Sequence, residues 1–288
     1  VRVLCGPRLR AGVGVRLMPV RARSIPALRA LLFPSNVSGT SQSSPYGVIE
    51  FANPHTNGFP TLGPGNSGWT VIRRVKPLQQ TGYYAQFWWS RADGQFQGTD
   101  FYAGFHPFPQ NALPSGTTHY WEIATEGGDG LGYDDNSNPR VVTQNQWYLQ
   151  AFKLEYNGGA PRMWFYPALP NVSTSSVIRF TCQNGYGSTT PPSPKITIGN
   201  SPWMAGYQEE RASCHHGEIK IIMAALSEAD ILSESENMSA LVTSAAQSSI
   251  WWGKKGFTSI DDLTCDFGTG RSFTRNDASN ILTLGEAL

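Results

Sequence analysis

The chain has 288 residues, 40% of them hydrophobic and only 15% charged, with 30 Gly, 20 Pro, 9 Trp, 11 Tyr and 14 Phe. That is enough apolar material for one large domain, and the Gly, Pro and aromatic content suits short strands joined by turns better than helices. A formal net charge of +1 offers no basic field for nucleic acid, and no apolar run reaches the ~18 residues of a membrane span.

Residues 1–47 stand apart. They hold seven Arg (Arg2, Arg8, Arg10, Arg16, Arg21, Arg23, Arg29), and the first acid of the chain is Glu50. Such an acid-free stretch resembles a transit peptide or a translated upstream leader, and Pro34 to Gly47 is a Ser/Gly/Pro linker. The expectation is a disordered leader and linker over 1–47, with ordered structure from Val48.

From there strand-like runs recur between turn signals. They are Trp69 to Val75, Tyr83 to Arg91, Phe101 to His106, His119 to Thr125, Val141 to Tyr156, Met163 to Tyr166, Val177 to Cys182, Ile196 to Ile198 and Gly217 to Ala224. This spacing predicts an all-β, antiparallel β-sandwich over 48–245 rather than alternating βα units. One short helix is predicted near 227–233. Ser227 can cap it, Asp230 stands three residues on, Leu226 precedes it as a staple, and Glu228 and Asp230 suit the positive end of the helix dipole. Residues 246–288 read as a tail that supplies a hairpin or an assembly segment.

Several of these runs carry a family resemblance. Ile196 to Asn200, then Gly217-Glu218-Ile219-Lys220-Ile221-Ile222, then Ala225 to Ile231 resemble the closing segment of laminin-G-like domains of the concanavalin A-like lectin/glucanase superfamily. Thr70 to Pro77 with Tyr83 to Trp88 is similar to the family's early strands, and Asn145 to Phe152 to its Trp-centred strand. The family's Tyr-x-Asn-Gly hairpin is altered, its Asn-Gly step standing at Asn157-Gly158. The resemblance covers 48–245 and implies a concanavalin A-like jelly roll.

Strand alternation sorts side chains into two faces. Ala85, Phe87 and Trp89 oppose Tyr84, Gln86, Trp88 and Ser90. Phe101, Ala103 and Phe105 oppose Tyr102, Gly104 and His106, and Trp121 and Ile123 oppose Tyr120 and Glu122. Arg162, Trp164 and Tyr166 share a face. If the apolar sets pack inward, Tyr84, Trp88, Tyr102, His106, Tyr120, Glu122, Arg162 and Trp164 would line a sheet face. Aromatic rings accept the CH face of a pyranose while polar forks bind its hydroxyls, so this mixture suits sugars. The expectation is a non-catalytic module of a secreted or virion-associated protein that binds a glycan or glycoprotein surface and joins a homo-oligomer or a virion. A purely structural assembly domain is one alternative.

The other alternative is a hydrolase. Trp121 to Glu126 resembles the catalytic strand of concanavalin-like glucanases, with Glu122 and Glu126 in the outer positions and Ala124 where the family has Asp. The loop Gly127 to Pro139 concentrates oxygen ligands of the kind calcium prefers. Asp129, Asp134, Asn136 and Asn138 are its candidate ligands, although Pro139 and Asn145 break the EF-hand pattern. No cofactor is otherwise required. Of the cysteines Cys5, Cys182, Cys214 and Cys265, the pair Cys182 and Cys214 is the candidate disulfide, and no zinc spacing is present.

Overall fold

The computed structural model describes residues 27–33, 47–52, 68–78, 84–90, 101–107, 119–125, 141–142, 145–155, 162–166, 168–170, 178–181, 195–199, 214–268, 272–277 and 282–288. The strands at 47–52, 84–90, 101–107, 119–125, 141–142 and 178–181 are described by their backbone alone. The elements in chain order are β1 (Arg29–Phe33), β2 (Gly47–Ala52), β3 (Gly68–Pro77), β4 (Tyr84–Ser90), β5 (Phe101–Pro107), β6 (His119–Thr125), β7 (Val141–Val142) and β8 (Tyr148–Glu155). There follow β9 (Arg162–Tyr166), β10 (Ile178–Thr181), β11 (Lys195–Gly199), β12 (Cys214–Ile222), α1 (Glu228–Glu236), α2 (Ser244–Gln247), β13 (Trp251–Lys254), β14 (Phe267–Gly268), β15 (Thr274–Asp277) and β16 (Thr283–Ala287).

Among the described residues all strand pairs are antiparallel, and they form two sheets. The first runs β10-β9-β8-β3-β12-β1-β16, with β13 also beside β12 and β14 on β13. The second runs β15-β2-β11-β4-β5-β6-β7. The expected all-β architecture holds.

β3 shows why these residues make a central strand. Trp69, Val71 and Val75 alternate onto one face and Thr70 and Ile72 onto the other, and all five are buried. A strand apolar on both sides is covered on both sides. Gly68 opens it with φ +132°, where an added Cβ would run into the Leu154 carbonyl of β8, so only glycine fits this crossing. On the inward face Trp69 meets Phe152 edge to face at 6.0 Å. Leu31, Phe33, Leu154, Ile219, Ile221 and Trp252 join the same buried cluster, as do Ile196 and Ile198 of the second sheet. The two sheets thus share one core.

The opposite face of the first sheet is covered at one end by the helices. Ile72, Ala151, Tyr166 and Ile222 pack there against Leu226, Ile231 and Ala246. Ser227 caps α1 as expected, accepting from the Asp230 N–H at 3.1 Å. The predicted run from Val141 to Tyr156 is split in two. Asn145 adopts φ 60°, which asparagine tolerates, and its N–H donates to the Pro77 carbonyl at 2.7 Å.

Two expected boundaries do not match the observed elements. Residues 29–33, read from sequence as part of an unstructured leader, form β1 between β12 and β16, with Ala30, Leu31 and Phe33 buried. The Arg-rich surroundings hid a short apolar run that completes a sheet. The segment 246–288, read as a tail, is woven into both sheets through β13 and β16 in the first and β15 in the second. It contributes Trp252, Phe257, Leu263 and Phe273 to the shared core.

Candidate functional site

The expected ligand set divides between the two sheets. Trp88, Tyr102, His106, Tyr120 and Glu122 occupy β4, β5 and β6 of the second sheet. The register pairs Trp88 with Tyr102, Gly104 with Glu122, and His106 with Tyr120, so these positions share one alternate set. It is the set opposite Ile196 and Ile198, which pair with Trp89 and Phe87. Tyr84 leaves it. A register shift between Ala85 and Phe87 pairs Tyr84 with Phe105 of the apolar set, because a bulge residue inverts the alternation on its far side.

Arg162 and Trp164 belong to β9 of the first sheet, so they do not share a sheet face with the others. Trp164 is half-buried beneath Lys153, whose Nζ lies 4.4 Å from its ring centroid, and it packs at the edge of the helix-covered cluster. Glu126, the candidate calcium ligands Asp129, Asp134, Asn136 and Asn138, and Cys182 lie outside the described residues. Among the described residues no group of three or more acidic, His or Cys side chains could hold a metal. No helix among them is long and apolar enough to cross a membrane. Cys214 is a buried free thiol, and Cys265 is half-buried.

A different constellation is fully described, at the end of the first sheet that the helices leave uncovered. β3 places Arg74 and Lys76 on the non-core face, in register with Leu149 of β8 and His215 of β12 respectively. Between His216 and Ile219 the register of β12 against β3 shifts. The shift keeps His216, Ile219 and Ile221 buried while bringing Glu218 within 3.2 Å of the Arg74 guanidinium. Lys76 Nζ donates to both carboxylate oxygens of Glu286, at 2.9 and 3.0 Å.

Trp147 completes the group. Its half-buried ring lies 6.2 Å from His215 at an interplanar angle of 45°, and the Arg74 guanidinium stands 6.0 Å over it. Gly285 permits the close approach of His215, whose Nδ1 an added Cβ would strike. The Lys76 hydrogen bonds hold the Glu286 carboxyl below its ordinary range, with the Trp147 indole adding to them. Burial pulls His215 below its usual value; Glu286 opposes this and Lys76 adds to it. Glu218 Oε2 and His215 Nδ1 are buried without a hydrogen-bond partner.

The patch therefore offers an aromatic ring and two partly exposed ion pairs on a sheet face, with the two unpartnered atoms buried beneath them. Chemically it can stack an apolar ring face while exchanging hydrogen bonds with hydroxyls. From sequence, Arg74 and Trp147 fall in strand-like runs and Lys76 just past one, with nothing that joins them into a site. The usable signal was Arg74 and Lys76 alternating with Arg73, Val75 and Pro77 in a strand otherwise apolar on both faces.

No family model matches the chain, and no curated protein matches it in sequence. Among solved structures it is similar to the full-length tailspike protein 2 of an Escherichia coli O157:H7 bacteriophage, at 13% identity and a TM-score of 0.39, over 80% of this chain and 30% of that one. It is also similar to the enzymatically active domain of a bacteriophage tailspike protein 2, at 12% identity and a TM-score of 0.40, over 80% of this chain and 34% of that one. The chain spans about a third of the length of these neighbours, and likeness at this level does not define a shared fold.

Proposed function

We propose that this chain is a non-catalytic carbohydrate- or surface-binding module of a secreted or virion-associated protein, its two sheets stacked as a concanavalin A-like jelly roll. The observation that supports this reading is the Trp147 patch, where a half-buried indole lies 6.0 Å from the Arg74 guanidinium and 6.2 Å from the His215 ring. Lys76, Glu218 and Glu286 surround it with charged donors and acceptors. Protein hydrogen bonds within the patch already order these side chains, so a ligand meets groups whose rotamers are largely set. Trp88, Tyr102, His106, Tyr120 and Glu122 form a second candidate surface on the other sheet, and calcium at 129–138 belongs to the same proposal.

A glycan-array screen of the full chain, with calcium and with chelator, tests it. The expected result is selective binding that weakens by about two- to tenfold in Trp147→Ala, as loss of an aromatic contact of ~0.5–1.5 kcal/mol implies. Binding lost in Trp88→Ala instead would move the site to the second sheet. No binding by the wild type under either condition would overturn the proposal in favour of a structural assembly domain.

A further inference from the structure

We propose that the shared core contains a binding site for one monovalent inorganic anion of the halide class, held by Arg73 beside His216 and Cys214. Arg73 sits on the inward face of β3 and is completely buried. Its Nη2 donates to the neutral amide oxygen Oε1 of Gln150 at 3.2 Å, and its Nε and Nη1 are buried without a hydrogen-bond partner. The Phe152 ring lies 5.5 Å from the guanidinium carbon, so one face of the cation rests on a π system. His216 Nε2 is also buried and unpartnered, and the Phe33 ring meets the imidazole edge-on at 6.5 Å.

No carboxylate of the protein serves this cation among the described residues. Glu234 is the only buried acid there, and it is engaged by Lys220 on the opposite face of the sheet. Across the core, the second-sheet positions in register with Ile196 and Ile198 are Phe51, Trp89, Ile49 and Phe87, and Phe101 and Ala103 follow them on β5. None is acidic. Cys214 does not supply the charge either, since burial pushes its thiol up to about 12 despite Arg73 nearby. Burial also lowers Arg73, to about 10, which still leaves it charged at neutral pH.

A buried guanidinium with free donors and no counter-charge is strongly unfavourable unless an anion joins it. The rings described against Arg73 and His216, Phe152 and Phe33, are apolar, so a compact ion that needs only donors suits the position better than an oxyanion that would need further polar partners. Because Arg73 is fully buried, the ion is taken up as the sheets assemble.

The test is to refold the full chain from denaturant at constant ionic strength in sodium gluconate, chloride or bromide, and then to measure Tm. The expected result for the wild type is a saturable rise of about 5 °C in halide over gluconate, the shift that occupancy near a hundred times Kd gives a domain of this size. Arg73→Met should lose that rise and should melt in gluconate at or above the wild type. An equal halide response in both proteins, or none in the wild type, would overturn the proposal. Should Arg73→Met not fold, the anomalous signal of bromide in wild-type crystals decides. A peak within hydrogen-bonding reach of Arg73 Nε or Nη1 supports the site, and a featureless core refutes it.

Discussion

Two cations are buried on opposite faces of one sheet, and they are treated differently. Lys220 on β12 is wholly enclosed, yet its Nζ donates to the Glu234 carbonyl at 2.8 Å, to Glu234 Oε2 at 2.6 Å and to the Ala240 carbonyl at 2.6 Å. The other carboxylate oxygen, Oε1, accepts from the Val242 N–H, the Thr243 N–H and the Thr243 hydroxyl. Every proton of the ammonium and both oxygens of the acid are used, and the network ties α1 and the start of α2 to the sheet. Arg73 has one bond to a neutral amide. The difference teaches that burial alone does not say what a charge is for. A saturated pair fixes where a helix sits, whereas an unsaturated cation waits for a partner from outside the chain.

The sharpest way to break this comparison is Glu234→Gln, which keeps an acceptor for the three donors at 242 and 243 but strands the Lys220 charge. Losing one partner of a buried pair costs about 3–5 kcal/mol, so chemical denaturation should show a loss of that size. A change under ~1 kcal/mol would mean the pair is not closed to water. The corresponding removal of charge at Arg73 should leave stability in gluconate unchanged or raised, in contrast to the loss on the other face.

Acid should next distinguish the two faces. Burial, with the nearby Arg73 charge, depresses His216 to about 3 from 6.5, so the unfolded chain takes up a proton that the folded chain refuses. Stability is therefore present above about pH 6.5 and falls as pH drops, at about 1.4 kcal/mol per unit, or ~2 kcal/mol by about pH 5. His215, also depressed, acts in the same direction. The Glu234 carboxyl is held low because the Lys220, Thr243 and Val242 hydrogen bonds outweigh the upward push of burial. Its contribution is lost only below the ordinary carboxylate range. Melting curves from pH 7 to 5 should decline in the wild type and flatten in His216→Phe; parallel curves would show that His216 is not buried neutral.

Smaller effects refine the picture. Thr243 caps α2 through Ala246 N at 3.3 Å while donating to Glu234, so Thr243→Ala should cost ~1–2 kcal/mol, measured by urea unfolding. A cost as large as that of Glu234→Gln would make the hydroxyl, not the charge, the centre of the network. Cys214, with its thiol pushed up to about 12 by burial, should resist a thiol reagent at pH 8 in the folded protein and react on unfolding. Cys265 is the more accessible of the two. Fast labelling of Cys214 would indicate that the core around Arg73 opens.

Much of this architecture was legible in the sequence where alternation and turn chemistry agree. The runs at Trp69, Tyr83, Phe101, His119, Met163 and Ile196 all became strands, and the Ser227 cap formed with the side-chain bond its spacing requires. What alternation cannot see is a bulge. The shift near Gln86 moved Tyr84 out of register with its presumed neighbours, and the shift near Gly217 brought Glu218 against Arg74. Nor can a linear pattern assign strands to sheets, which is why Arg162 and Trp164 read as neighbours of Trp88 and are not. Lys220 and Glu234 each look like a solvated charge until the helix that joins them is in place. β1 stayed hidden because its few apolar residues follow an Arg-rich stretch whose composition argues for disorder.

β12 has one side taken by β3 and the other divided lengthwise, β1 pairing with residues 214–216 and β13 with residues 219–222. β1 in turn is flanked by β16, so Leu31 rests beside both His216 and Leu284. Contacts between positions so remote along the chain make slow folding steps, because the loop must close before any stabilising pairing is gained. During synthesis, residues 29–33 emerge long before either neighbour exists. The short apolar strand must then remain unpaired, a target for chaperones or for other nascent copies, until residues 283–287 have left the ribosome and the sheet can be closed.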